Sequence, residues 1–243
     1  VREHGWPDMW RDHWAHALYK KRSPANPENY RGIHLTAVLS KVVERTIGRL
    51  LVRFLDEADV FGASQWAFRP KRSCRDVVVL LICTWILNMT EGYRTGILLT
   101  DIFGAFDRVE TERLIAKLRS SGVSNDLVEF LRSYLAARRA YVIVSGQRST
   151  TMCIRDQVFQ GTVLGPPLWN VYFKDVDGSV PAGFSPIKFA DDLTVHKRYP
   201  RTCDNAQVFA DLHSCQSSVH DWGTRNRVKF DPGKEEIRVI DVK

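Results

Sequence analysis

Cysteine is scarce in this sequence, and long apolar runs are missing. The five cysteines, Cys74, Cys83, Cys153, Cys203 and Cys215, are widely spaced and include no CxxC pair. That pattern argues against a disulfide framework or a structural zinc site and fits reduced thiols in an intracellular protein. The longest apolar stretch, residues 77–87, contains Thr84 and falls short of the roughly 17–25 apolar residues needed to span a bilayer. Residues 1–11 are polar and Trp-rich, unlike a basic-then-apolar secretory leader. Repeats and low-complexity tracts are absent too. The first residue is not Met, and the sequence reads as a segment of a longer chain.

What is present is globular composition with a basic excess. The 243 residues suffice for a real core without staples. A hydrophobic share of 44% and a charged share of 26% exclude wholesale disorder. Lys and Arg number 35 against 28 Asp and Glu, a formal charge of +7 that points to a polyanionic partner without naming it.

Residues 37–58 form the clearest helix. Leu39, Val42, Val43, Ile47, Leu50, Leu51, Phe54 and Leu55 recur at three- and four-residue steps, with Lys41, Glu44, Arg45 and Arg49 on the other face. Residues 75–89 predict a second helix, apolar all round and therefore buried. Residues 96–100 predict a buried strand, and 110–120 and 125–138 two helices. Residues 141–144 and 150–154 predict a hairpin, and 168–176 a further helix. Val208, Leu212, Cys215, Val219 and Trp222 share one helical stripe that Gly223 stops. Strand-like runs at 228–230 and 237–242 flank an Asp231-Pro232-Gly233 turn. Mixed elements without βαβ alternation predict an α+β class with an antiparallel sheet.

Three constellations can carry chemistry. In the first, an apolar strand ends at Asp101-Ile102-Phe103-Gly104-Ala105-Phe106-Asp107, which places a carboxylate rigidly at a strand terminus. The second is Phe189-Ala190-Asp191-Asp192, two adjacent acids at a predicted hairpin tip. Asp-Asp is poor turn chemistry compared with Asn-Gly or Asp-Gly, and its charge repulsion calls for a counter-ion such as Mg²⁺, which carboxylates bind together with substrate phosphates. The third is Gln160-Gly161-Thr162-Val163-Leu164-Gly165-Pro166, a glycine-bearing loop that opens a helix. Taken singly, each also reads as ordinary structure: a strand-ending acid, a solvated turn, a loop-to-helix junction.

In this order the three resemble motifs A, C and B of the reverse transcriptases of non-LTR (LINE-type) retrotransposons, with a more distant likeness to group II intron enzymes. The flanks agree: Asn29-Tyr30-Arg31-Gly32-Ile33 with Ser40-Lys41-Val42-Val43-Glu44-Arg45, Gln65-Trp66-Ala67-Phe68-Arg69-Pro70, and Trp222, Asn226, Val228-Lys229-Phe230 and Pro232-Gly233-Lys234-Glu235 as motif D. The resemblance covers nearly the whole chain. Gly32, Phe103, Phe159, Pro167 and Trp169 depart from the family pattern, and Phe103 and Phe159 are expected to crowd the nucleotide pocket.

The resemblance implies a right-hand polymerase: an antiparallel palm sheet flanked by helices, helical fingers, and no thumb in this chain. It places fingers at 1–95 and palm at 96–243, with a finger-type insertion around 125–155. It implies two Mg²⁺ ions (or Mn²⁺) held by Asp101 and Asp191, with Asp192 as third acid and the Ile102 carbonyl as a further ligand. Phe106 would exclude a 2′-hydroxyl, Gln160 and Gly161 would touch nucleotide and template, and Arg31 with Lys20 or Lys21 would meet the triphosphate. Lys234, with Lys229 as competitor, would protonate the leaving pyrophosphate. Implied partners are an RNA template, a DNA primer or RNA–DNA duplex and dNTPs, within a longer polyprotein whose endonuclease lies outside this chain. No membrane partner is implied, and nuclear work is expected for target-primed integration. The alternatives are an inactive nucleic-acid-binding remnant, an RNA-dependent RNA polymerase, and a maturase-type splicing role.

Overall fold

The computed structural model describes residues 5–20, 23–144 and 146–241. Its elements run β1 (Asp12–Tyr19), β2 (Tyr30–Leu35), α1 (Val38–Glu57), α2 (Cys74–Thr90), β3 (Tyr93–Thr100), α3 (Thr111–Ser120), α4 (Asn125–Leu135), β4 (Arg138–Val144), β5 (Gln147–Arg148), β6 (Met152–Ile154), α5 (Gly165–Phe173), β7 (Ser185–Phe189), β8 (Asp192–Pro200), α6 (Asn205–Arg225) and β9 (Glu236–Ile240). The class is α+β. Two compact units form, each from two stretches: residues up to 58 with Phe106–Tyr172, and Asp59–Ala105 with residues from 173 on. Among the described residues, no helix is long and apolar enough to cross a membrane.

The first unit carries a sheet in the order β2-β1-β4-β5, with β6 also paired to β4. β1 runs antiparallel to β2 and parallel to β4. Sequence periodicity predicted neither β1 nor β2, so this stretch is less helical than expected. Trp14, His16 and Leu18 alternate with Ala and His rather than with charged residues, and the burial along β1 is irregular. α1 forms where expected, but its buried face is not the expected stripe: Ser40, Glu44, Gly48, Leu51 and Leu55 are buried, while Leu39, Val42, Leu50 and Phe54 are exposed. Glu44, read as an exposed-face residue, is fully buried. α4 stops earlier than predicted, because Ala137 takes a left-handed φ of 52° and Arg138 then opens β4.

The second unit is built on an antiparallel sheet in the order β7-β8-β3-β9. β3 is an interior strand, buried along most of its length. α6 lays the stripe Val208, Leu212, Cys215, Val219 and Trp222 into the core, and Gly223 lies within the helix rather than ending it. α2 begins in a capping box in which the Ser73 and Asp76 side chains satisfy each other's backbone N–H. Its predicted burial is not observed. Only Val77 and Asn88 are buried, while Val78, Val79, Leu80, Ile82, Ile86 and Leu87 are exposed. A helix that is apolar all round gives no directional signal, and only one of its faces can meet β3 and β7.

Candidate active site

Strand register brings the acids of the first two constellations together. Thr100, the last residue of β3, pairs with Leu193 near the start of β8, and its hydroxyl donates to the Leu193 carbonyl at 3.2 Å. Asp101 therefore leaves β3 beside Asp192, which itself pairs with Phe189 across the β7–β8 turn. Partial burial first, then the charges of Asp191 and Asp101, push the Asp192 carboxyl up to about 6. Asp101 and the adjacent pair Asp191 and Asp192, far from it in the chain, thus share one electrostatic site. The backbone of motif A is fixed from its other side: Phe103 N–H donates to the Lys229 carbonyl at 2.8 Å, and Asp231 N–H donates to the Asp101 carbonyl at 2.9 Å. Ile102 is buried and bridges to Phe230.

Lys234 joins this cluster, with its ammonium donating to Asp101 Oδ2. That bond raises the lysine above its ordinary range. The contact selects Lys234 over Lys229 as the lysine brought to the acids. The loop carrying it is anchored one residue later. Glu235 is nearly buried and takes Gln216 Nε2 at 2.7 Å and His220 Nε2 at 2.7 Å, from successive turns of α6. The His220 ring stacks on Phe230 at 5.1 Å.

The other predicted residues lie in the first unit. Gly161 has φ 93°, and a Cβ there would lie 3.0 Å from the His34 carbonyl oxygen, so glycine is required where the β2 backbone approaches. His34 N–H donates to the Gln160 carbonyl at 2.7 Å. Gly165 is required for a second reason, since a Cβ would meet the Phe159 carbonyl at 2.7 Å. Glu44 closes the loop from below, accepting from Val163 N–H at 2.8 Å and Leu164 N–H at 3.3 Å, with the Tyr134 hydroxyl at 3.3 Å. Beside it the buried Arg138 guanidinium stands 4.7 Å from the Phe159 ring, 5.2 Å from Tyr134 and 5.8 Å from Trp6. His13 Nε2 and His34 Nδ1 share a hydrogen bond at 2.7 Å in the same core.

Phe159 is therefore a buried core ring under the motif B loop, whereas Phe103 is exposed. Phe106 is half-buried, 6.0 Å from the Trp169 ring. Arg31 is exposed on β2, and it and Lys20 both lie near enough to Asp107 to favour its charge. Lys21 lies outside the described residues. Sequence reasoning missed Glu44 and the Glu235 anchor. Their signal is a carboxylate that becomes buried only when distant elements close over it.

Among the described residues, no three His, Cys, Asp or Glu side chains stand as a finished metal cage. The donor chemistry still fits a hard cation. Asp101, Asp191 and Asp192 repel one another, and Lys234 already supplies one positive charge at Asp101. A magnesium site of one or two carboxylates completed by substrate phosphates needs no closed protein cage.

Comparison with known proteins agrees with the motif order. Residues 19–239 match the family described as "Reverse transcriptase (RNA-dependent DNA polymerase)". The chain is 28% identical over 243 residues to a probable RNA-directed DNA polymerase from transposon BS of Drosophila melanogaster, covering 96% of this chain and 26% of that protein. It is 27% identical over 222 residues to the RNA-directed DNA polymerase from mobile element jockey of Drosophila funebris, covering 88% and 24%. The chain thus spans about a quarter of the length of these relatives. Among solved structures, apo telomerase from Candida tropicalis, truncated from its C-terminal domain, superposes with a TM-score of 0.66 at 12% identity, over 97% of this chain and 51% of that one; the likeness is one of fold. With its motifs in order and the match running almost end to end, the chain belongs to the reverse transcriptase (RNA-dependent DNA polymerase) family.

Proposed function

We propose that this chain is the polymerase segment of a non-LTR retroelement, adding dNTPs to a primer 3′-hydroxyl on an RNA template. The observation that carries the reading is the shared electrostatic site of Asp101, Asp191 and Asp192, with Lys234 on Asp101. In this reading the fingers come from residues 1–95 with the insertion around 125–155, and the palm from the rest of 96–243.

Polymerases of this family generally use divalent metal. Here Asp101 and Asp191 would hold two Mg²⁺ ions, with Asp192 and the Ile102 carbonyl as further ligands. Such a pair stabilises the attacking and leaving oxygens of an in-line displacement at phosphorus. The protein's own residues do the rest. Lys234 carries a proton to the departing pyrophosphate oxygen. Arg31, with Lys20 or Lys21, pairs with the triphosphate. The Gln160-Gly161 loop, whose backbone is held by His34, contacts nucleotide and template, and Phe106 excludes a ribose 2′-hydroxyl. The basic excess tracks phosphates, which makes binding fall with salt. Action in the nucleus, and an endonuclease in the remaining length of the element, follow from the same reading.

The test is primer extension on RNA and DNA templates, with dNTPs and with rNTPs. Extension with dNTPs on RNA supports the reading. Extension with rNTPs alone identifies an RNA polymerase, and binding without extension identifies a remnant.

A further inference from the structure

Gln65 precedes α2 in the chain, yet its side chain acts on the turn between β7 and β8. It is 2% exposed. Its Oε1 accepts from Ala190 N–H at 3.2 Å and its Nε2 donates to the Ala190 carbonyl at 3.3 Å, so one amide grips both polar groups of one residue. Oε1 also takes Ala67 N–H at 3.0 Å. The surrounding backbone reinforces the grip: Lys188 N–H donates to the Ser64 carbonyl at 2.7 Å, and Trp66 N–H donates to the Lys188 carbonyl at 2.9 Å. This adds a parallel bridge to the outer edge of β7.

The residue being gripped is strained. Phe189 pairs with Asp192, which leaves Ala190 and Asp191 as a two-residue turn. Ala190 has φ 59°. A left-handed first position in such a turn is glycine's place, because a Cβ there meets the following carbonyl. Alanine holds it here against that preference, and the next two residues are the paired acids.

We propose that Gln65 is a positioning residue for the acidic turn: its amide holds Ala190 in the left-handed conformation and so fixes Asp191 and Asp192 beside Asp101. Its catalytic consequence rests on the polymerase reading above; the grip itself does not.

The test uses the full chain with Gln65→Leu and with Gln65→Leu/Ala190→Gly. In Gln65→Leu, losing both hydrogen bonds to Ala190 predicts amide exchange at Ala190 faster by about 10- to 100-fold, with exchange in β3 unchanged. The kcat for primer extension falls by a similar factor, while the KM for dNTP and the primer–template Kd stay put. Glycine at 190 needs no grip, so the double variant regains most of the lost kcat. The proposal is overturned by unchanged exchange at Ala190, by loss of protection across the whole sheet, or by a double variant no better than the single one. A wild-type chain that extends no primer defeats the polymerase reading, and Ala190 exchange then still decides the grip.

Discussion

Replacing Glu44 by Leu is expected to destabilise the first unit by several kcal/mol. The carboxylate is fully buried, and a single oxygen accepts the Val163 and Leu164 N–H groups and lies within reach of the Tyr134 hydroxyl. Hydrogen bonds to a charged group are worth about 1.5–3 kcal/mol each. Only the 2.8 Å bond is short, so these contacts supply roughly 2–4 kcal/mol. Leucine would also remove a carboxylate whose charge helps stabilise the buried Arg138 guanidinium at a distance, without a direct ion pair. The two effects share atoms and do not add. An overall loss of about 2–4 kcal/mol is therefore expected. In a chain of this size each kcal/mol lowers Tm by roughly 2–4 °C, which gives a fall of roughly 4–16 °C. Urea and thermal unfolding measure it. Glu44→Gln keeps an acceptor and loses less. Glu44→Leu with Arg138→Met removes both charges, leaves no buried guanidinium without its neighbouring carboxylate, and recovers part of the loss. A single variant within about 1 kcal/mol of wild type, or a double variant in which the two losses simply sum, would refute the reasoning.

Two further outcomes are expected. Burial, with Arg138 adding to it, pushes His13 down to about 4, and burial, with His13 and Arg138 adding to it, pushes His34 down to about 3, each from an ordinary 6.5. The unfolded chain then binds more protons below pH 6.5, so stability is intact above 6.5 and is lost as pH falls towards 4, by up to about 1.4 kcal/mol per pH unit for each histidine. Urea midpoints measured from pH 7 to pH 5 should drop, and less steeply in His34→Gln; a flat profile contradicts the buried neutral pair. Phe106→Ala should relax discrimination against ribonucleotides by roughly 10- to 200-fold in competitive incorporation, whereas equal selectivity returns Phe106 to a packing role against Trp169.

Legibility in the sequence follows the range of the physics involved. α6 was readable because a helix that buries one face writes that face at three- and four-residue steps; α1 was readable as a helix, but its buried face runs through Ser40, Glu44 and Gly48, which no apolar pattern marks. α2 was readable as a helix but not in its placement, because an all-apolar helix does not say which side is covered. β1 and β2 were invisible because their residues mix His, Trp and Ala without clean alternation. The acids were recognisable by motif order, but their approach depends on the Thr100–Leu193 register, which no local pattern encodes. Glu44 looked like a solvated helix charge. Arg138, Tyr134 and the Val163–Leu164 loop, all far along the chain, make its burial tolerable.

The central claim is that Asp101 and Asp191 together make this chain a metal-dependent polymerase. Primer extension with dNTPs on an RNA template, with and without Mg²⁺, tests it most directly when wild type is run beside Asp101→Asn and Asp191→Asn. The account predicts Mg²⁺-dependent extension by wild type, and its abolition in each variant with primer–template binding largely retained. Undiminished extension by either variant would contradict it.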